Sequence, residues 1–259
     1  MGYPLPVDMR VGRLFALLLL SFLVQVGCAE PIESPETTVP PRDETVVLLH
    51  GIARSSQSMW RIESALRTQG WEVVNLDYPS RKKSIDELSD FLGQTLADCC
   101  ADPDRKVHFV THSMGGIVVR YHLAKQHPSN LGRVVMLGPP SAGSEVVDLL
   151  GGNPLFEVTM GPAGQELGTD SSSVPRSLGP VDFELGVIAG DSSVNPVFSE
   201  LIPGLDDGAV SVESTKTPGM TDFLTLPYSH TFIMFSREVI EQTVHFLENG
   251  VFDHREEAS

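Results

Sequence analysis

Ser113 stands between Thr111-His112 and Met114-Gly115-Gly116, after an apolar, β-branched run at 107–110 and before a helix-like run from Gly116 onward. A serine on a tight strand-to-helix turn has its hydroxyl lifted clear of the backbone and set at the positive end of the following helix. Small neighbours relieve the crowding of such a turn. Gly115 takes the second small position of a G-x-S-x-G pattern and Gly116 extends it, while Thr111 occupies the place of the first glycine. A serine hydroxyl is a poor nucleophile until an imidazole takes its proton, and that imidazole must be held in one tautomer by a carboxylate. A histidine and an acid are therefore required elsewhere in the chain.

Eight histidines compete. His108 and His112 lie on the nucleophile's own strand, His122, His127 and His245 fall in helical stretches, and His254 lies in a charged tail. His50 closes the buried run 45–50 and opens the turn Gly51-Ile52-Ala53. His230 follows a short strand at 222–226 and the turn Pro227-Tyr228-Ser229, a loop at the carboxyl end of a strand, where open α/β sheets place their active sites. It is the expected base. Acyl transfer also needs backbone N–H donors aimed at the developing oxyanion, and one donor removed costs about 10²–10³ in rate. The Ile52 N–H, in the loop after the first strand, and the Met114 N–H, next to the nucleophile, are the two candidates.

The V-V-L-L-H-G run at 46–51 and the H-S-M-G-G elbow at 112–116 together resemble the α/β-hydrolase family, and within it the small bacterial triacylglycerol lipases and esterases. The resemblance covers most of the chain after residue 44. Its further marks are the run from Gly138 to Ser144, then Asp206-Asp207-Gly208 with Val210, and finally His230. It implies a Ser, Asp, His triad in that chain order, which Ser113, Asp207 and His230 meet. The acid is carried to Asp207 because it precedes Gly208 in the expected setting. Asp206 is its immediate rival, and Asp191 is a third choice because it follows the apolar run 185–189. Aspartate before glycine is also a common turn pair.

These residues must be held by a fold, and the chain alternates strand and helix. Strands are expected at 45–50, 71–76, 107–111, 133–137, 183–189 and 222–226, with helices at 58–68, 85–97, 114–125 and 237–247. Alternation of this kind predicts an α/β class protein, a mainly parallel sheet covered by helices on both faces. The stretch 144–180 is rich in Gly, Pro and Ser, and a structureless loop of that length is unusual unless it has a role. It is read as a small cap or lid, with Leu149, Leu150, Leu155, Phe156 and Met160 available to an acyl chain; the alternative is a surface excursion with one short helix at 146–150.

Residues 1–29 have the basic start and short apolar run of an export signal. Gly27-Cys28 allows a lipoprotein reading, in which a lipidated Cys28 attaches the protein to a membrane; cleavage after Ala29 allows periplasmic or secreted release. Residues 30–43, rich in Pro, Glu and Thr, read as a flexible tether to a catalytic domain at 44–259. About 225 residues remain after processing, enough for one domain with a sizeable core. Cys99 and Cys100 are expected as two separate thiols, since a bond between neighbours demands strained geometry. Histidines and cysteines do not cluster at ligand spacings and no acidic loop has a calcium pattern, so neither a metal nor a cofactor is expected. A net charge of −16 argues against nucleic acid or anionic headgroups as partners.

The expectation is thus a monomeric serine carboxylester hydrolase acting on an ester or lipid through an acyl-enzyme. Capture of the acyl group by an alcohol or amine would make it an acyltransferase, and a silent site would leave a binding module.

Overall fold

A computed structural model describes residues 39–194 and 196–254. The expected export signal, Cys28 and most of the tether lie outside them. Six strands form one sheet: β1 (Glu44–Leu49), β2 (Glu72–Leu76), β3 (Lys106–His112), β4 (Leu131–Leu137), β5 (Leu185–Gly190) and β6 (Asp222–Leu226). Their order is β2-β1-β3-β4-β5-β6 and every pairing is parallel.

Burial on both faces explains the near-continuous apolar strands. Side chains alternate across a strand, so Val47, Leu49, Phe109, Val134, Met136 and Val187 enter one core while Val46, Leu48, Val110, Val135, Leu137 and Ile188 enter the other. The first face is covered by α2 (Ile85–Cys99) and α3 (Met114–Lys125), the second by α1 (Trp60–Thr68) and α9 (Arg237–Asn249). Helix α2 shows how local sequence sets these elements. Ser84 and Glu87 form a reciprocal capping box at its start, and Ile85, Leu88 and Leu92 recur at helical spacing on its buried side. Helix α9 starts at Ser236, whose hydroxyl accepts from the Val239 N–H, and ends at Gly250 in the left-handed conformation.

One expectation is corrected. Cys99 and Cys100 are joined in a disulfide; Cys100 has left the helix, with φ −136° and ψ 28°, which carries its side chain out of helical register. The stretch 144–180 is largely helical, with α4 (Glu145–Leu150), α5 (Pro154–Gln165) and the single turn α6 (Val174–Ser177). Its glycines punctuate the helices instead of dissolving them. Gly161 kinks α5 at φ +66° and lies so close to the Arg81 carbonyl that a β-carbon there would stand 1.9 Å from the oxygen. Beyond the kink, the Ala163 N–H donates to the Lys83 carbonyl and the Ile85 N–H donates to the Glu166 carboxylate at 2.7 Å. Leu150, Phe156 and Met160 are buried, whereas Leu149 and Leu155 are exposed. The remaining short turns are α7 (Pro196–Ser199) and α8 (Val212–Thr215), between β5 and β6.

Candidate active site

The chain passes from β1 outward to β2 and returns to β3 on the other side, so strand order reverses between β1 and β3. Open α/β sheets bind ligands at the carboxyl ends of such a pair. The β1 end continues into His50, Gly51 and Ile52, and the β3 end delivers Ser113.

Ser113 precedes α3 with φ 54° and ψ −126°, a backbone that a side chain adopts only under constraint. Its N–H donates to the Leu137 carbonyl at 2.9 Å, tying the turn to β4. The surrounding glycines are steric requirements. A β-carbon on Gly115 would stand 2.7 Å from the Leu49 carbonyl oxygen and 2.9 Å from that of His50; one on Gly51 would stand 2.7 Å from His112 Nδ1 and 3.2 Å from Ser113 Cβ. Thr111, the departure from the glycine pattern, is fully buried, with its Oγ1 3.2 Å from where a β-carbon on Gly116 would be. The second glycine leaves room for Met136, whose Sδ would be 3.0 Å away, together with Thr111 and Pro139.

His230 lies beyond β6, and its ring joins two distant elements. Nδ1 is 2.7 Å from Asp207 Oδ2, and Nε2 is 2.9 Å from Ser113 Oγ. An ionised carboxylate accepts only, so Nδ1 carries the proton and Nε2 presents its lone pair to the serine hydroxyl. Asp207 is buried, and its other oxygen accepts from the N–H groups of Ala209 at 3.0 Å and Val210 at 2.9 Å. The main chains agree with the side chains, because the His230 N–H donates to the Asp207 carbonyl at 2.9 Å.

The other two aspartates are placed differently. Asp206 points away, its Oδ1 accepting from Ser199 Oγ at 2.8 Å and from the Gly208 N–H at 2.7 Å. Asp191 continues from β5, where its N–H donates to the Leu226 carbonyl. Neither contacts the His230 ring.

On the opposite side, Met114 is the first residue of α3, where amides have no acceptor within the helix. Ile52 lies in the turn after β1, next to Ala53, which has φ 54°. Two residues that the sequence reading did not assign to the site brace this turn. Tyr78 donates its hydroxyl to the His50 carbonyl at 2.5 Å, and its ring stacks on His50 with centroids 4.2 Å apart. His50 Nδ1–H donates to the Gly51 carbonyl at 2.8 Å. His112, set aside as a strand residue, also touches the site: its Nε2 is 2.9 Å from the His230 carbonyl oxygen. Burial first, and then the electrostatic influence of His230 and Arg54, hold the His112 imidazole well below the usual histidine range. Burial also lowers His50. Among the described residues no group of three or more His, Cys, Asp or Glu side chains is placed to hold a metal ion.

A serine hydroxyl facing an imidazole that is itself held by a buried carboxylate can supply an activated nucleophile. Comparison with known proteins agrees with the architecture. A family model described as the alpha/beta hydrolase family matches residues 46–232. Among solved structures, the mature form of a Bacillus licheniformis lipase, BlEst2, is similar with a TM-score of 0.65 and 21% identity, over 84% of this chain and 96% of that one. Phospholipase PlaB from Legionella pneumophila is similar at 0.59 and 19%, over 79% and 57% of the two chains. A metagenomic carboxyl esterase is similar at 0.60 and 15%, over 80% and 69%. At such identities the likeness is one of fold.

Proposed function

The chain belongs to the alpha/beta hydrolase family, and from that premise we propose that it is a serine carboxylester hydrolase working through an acyl-enzyme. The observation that carries this reading is the continuous chain from Ser113 Oγ to His230 Nε2 and from His230 Nδ1 to Asp207 Oδ2, at 2.9 and 2.7 Å.

In this reading Ser113 Oγ attacks the ester carbonyl while His230 Nε2 takes the hydroxyl proton. The imidazolium that forms is stabilised by Asp207, whose remaining oxygen is already satisfied by two backbone amides. The N–H groups of Ile52 and Met114 receive the charge on the carbonyl oxygen. His230 then protonates the departing alkoxide, leaving the acyl group on Ser113. Water enters, gives a proton to His230 and attacks the acyl carbonyl; return of the proton to Ser113 frees the acid. The helices of 144–180 rise beside this site, with Ile52 Cδ1 only 3.0 Å from where a β-carbon on Gly164 would be, and serve as a cap along which the acyl chain lies.

Labelling with a fluorophosphonate probe tests the reading. The natural protein is expected to react, and Ser113→Ala and His230→Ala to lose the label. A folded natural protein that stays unlabelled would sink it. Product analysis with added glycerol separates hydrolysis from acyl transfer, since an acyltransferase would yield the glyceryl ester in place of the free acid.

A further inference from the structure

His230 is gripped from two sides. Its main-chain N–H donates to the Asp207 carbonyl and its ring Nδ1–H to the Asp207 carboxylate, at 2.9 and 2.7 Å. Its main-chain carbonyl, on the far side of the same residue, is 2.9 Å from His112 Nε2. A carbonyl oxygen can only accept, so His112 carries its proton on Nε2 and leaves a lone pair on Nδ1. That Nδ1 is buried with no hydrogen-bond partner among the described residues. The ring is fully packed, 4.8 Å from the His230 ring by centroid and against the position where Gly51 admits no β-carbon. A buried nitrogen without a partner is costly, and an apolar side chain would fill the same space without one.

We infer that His112 is a positioning residue for the base: the consecutive pair His112-Ser113 holds both ends of His230, Ser113 meeting the ring at Nε2 and His112 anchoring the main chain that carries the ring. The inference rests on the serine hydrolase reading above. The geometry gives it a purpose. His230 sits on a loop beyond β6, whereas His112 ends β3 in the middle of the sheet. A rigid strand therefore sets the distance between nucleophile and base, through one bond from each of two adjacent residues. Misplacing a reacting group by about 1 Å costs on the order of 10² in rate, so the anchor acts on turnover and leaves substrate binding alone.

The test compares His112→Gln, whose amide can still donate toward the His230 carbonyl, with His112→Asn, whose amide is too short, and His112→Leu, which has no donor. For a p-nitrophenyl ester, kcat is expected to fall roughly 10–100-fold in the Asn and Leu variants with KM within about twofold, and to recover in the Gln variant. Fluorophosphonate labelling rates should follow the same order. If the Leu variant fails to fold, the Asn and Gln pair, both polar, decides the matter. Equal kcat in all three variants and the natural protein would overturn the inference, as would losses that follow only the folded fraction or appear equally in Gln and Asn. Absence of labelling in the natural protein is a different outcome, and it counts against the hydrolase reading itself.

Discussion

Thr111 and Gly116 share one space: the threonine Oγ1 lies 3.2 Å from where a β-carbon on residue 116 would be. The elbow has the glycine its turn demands at 115 and a second at 116, so the first glycine of the pattern is dispensable at 111. Gly115→Ala is expected to abolish labelling of Ser113, because its new methyl meets two main-chain carbonyls that cannot move independently of β1. Gly116→Ala should slow labelling without abolishing it, and Thr111→Ala combined with Gly116→Ala should restore part of the loss. Residues in contact couple by about 0.5–3 kcal/mol; additive losses in the double variant would contradict this account.

Gly138 closes the opposite wall. It has φ +54°, and a β-carbon there would stand 3.0 Å from Asp207 Oδ2 and 3.2 Å from His230 Nδ1. Gly138→Ala adds left-handed strain of roughly 1–2 kcal/mol and presses on the bond that fixes the His230 tautomer. Turnover is expected to drop at least about tenfold, about 1.4 kcal/mol of barrier, whereas strain that only lowers stability leaves the turnover of the folded fraction unchanged. Steady-state kinetics together with a denaturation curve would separate the two effects.

Arg120 ties down the segment 144–180 at both of its ends. The guanidinium is buried in α3 and donates to the carbonyls of Ser141 at 3.4 Å, just before 144–180, and of Leu178 at 3.4 Å and Gly179 at 3.2 Å, at its far end. Burial pushes it down to about 10, so it remains charged at neutral pH. In Arg120→Met these carbonyls lose their donor. Limited proteolysis of the folded variant should show faster cleavage within 144–180, and an unchanged digestion pattern would argue against the tie.

Four buried histidines make the fold sensitive to acid. Burial is the leading cause holding His50, His108, His112 and His122 below the ordinary histidine value of 6.5. The unfolded chain then binds protons that the folded chain refuses, so stability is present above pH 6.5 and declines as the pH falls below it. Each such histidine contributes up to about 1.4 kcal/mol per pH unit. His108 adds a loss of its own beside burial, since its Nδ1 accepts from the Arg133 N–H at 2.9 Å and a proton on that nitrogen breaks the bond. Urea midpoints should fall clearly between pH 7.5 and 5.5; equal midpoints would refute the assignment.

Helix α5, part of the proposed cap, carries exposed apolar side chains, Leu155 at 47% and Val158 at 80%. Exposure of that order on one helix suits contact with an acyl chain. Leu155→Gln with Val158→Gln is expected to lower turnover of long-chain esters several-fold relative to short-chain ones. An unchanged ratio would assign these residues to the surface alone.

Much of the architecture is legible in the residues themselves. Runs such as 46–49 and 134–137 are apolar at every position because both faces of a parallel strand are covered, and that pattern needs no partner to be recognised. The order of Ser113, Asp207 and His230 along the chain is likewise a property of the sequence. The helix at 154–165 is less legible, because Gly161 and Pro162 fall within it and are accommodated by a kink packed against Arg81. The Cys99–Cys100 bond was hidden, since it depends on where the backbone leaves α2.

By itself the sequence determined the class of fold, the serine turn and the small set of side chains that could serve it, because periodicity and steric demand are local. Only the tertiary structure decided which aspartate faces His230, since neighbouring residues in a turn send their carboxylates in different directions: Asp206 to Ser199 and Gly208, Asp207 to the imidazole. Only the tertiary structure, too, joined His112 to His230, residues 118 apart in the chain. A hydrogen bond depends on distances of a few tenths of an ångström, and those are set when the strands pack side by side.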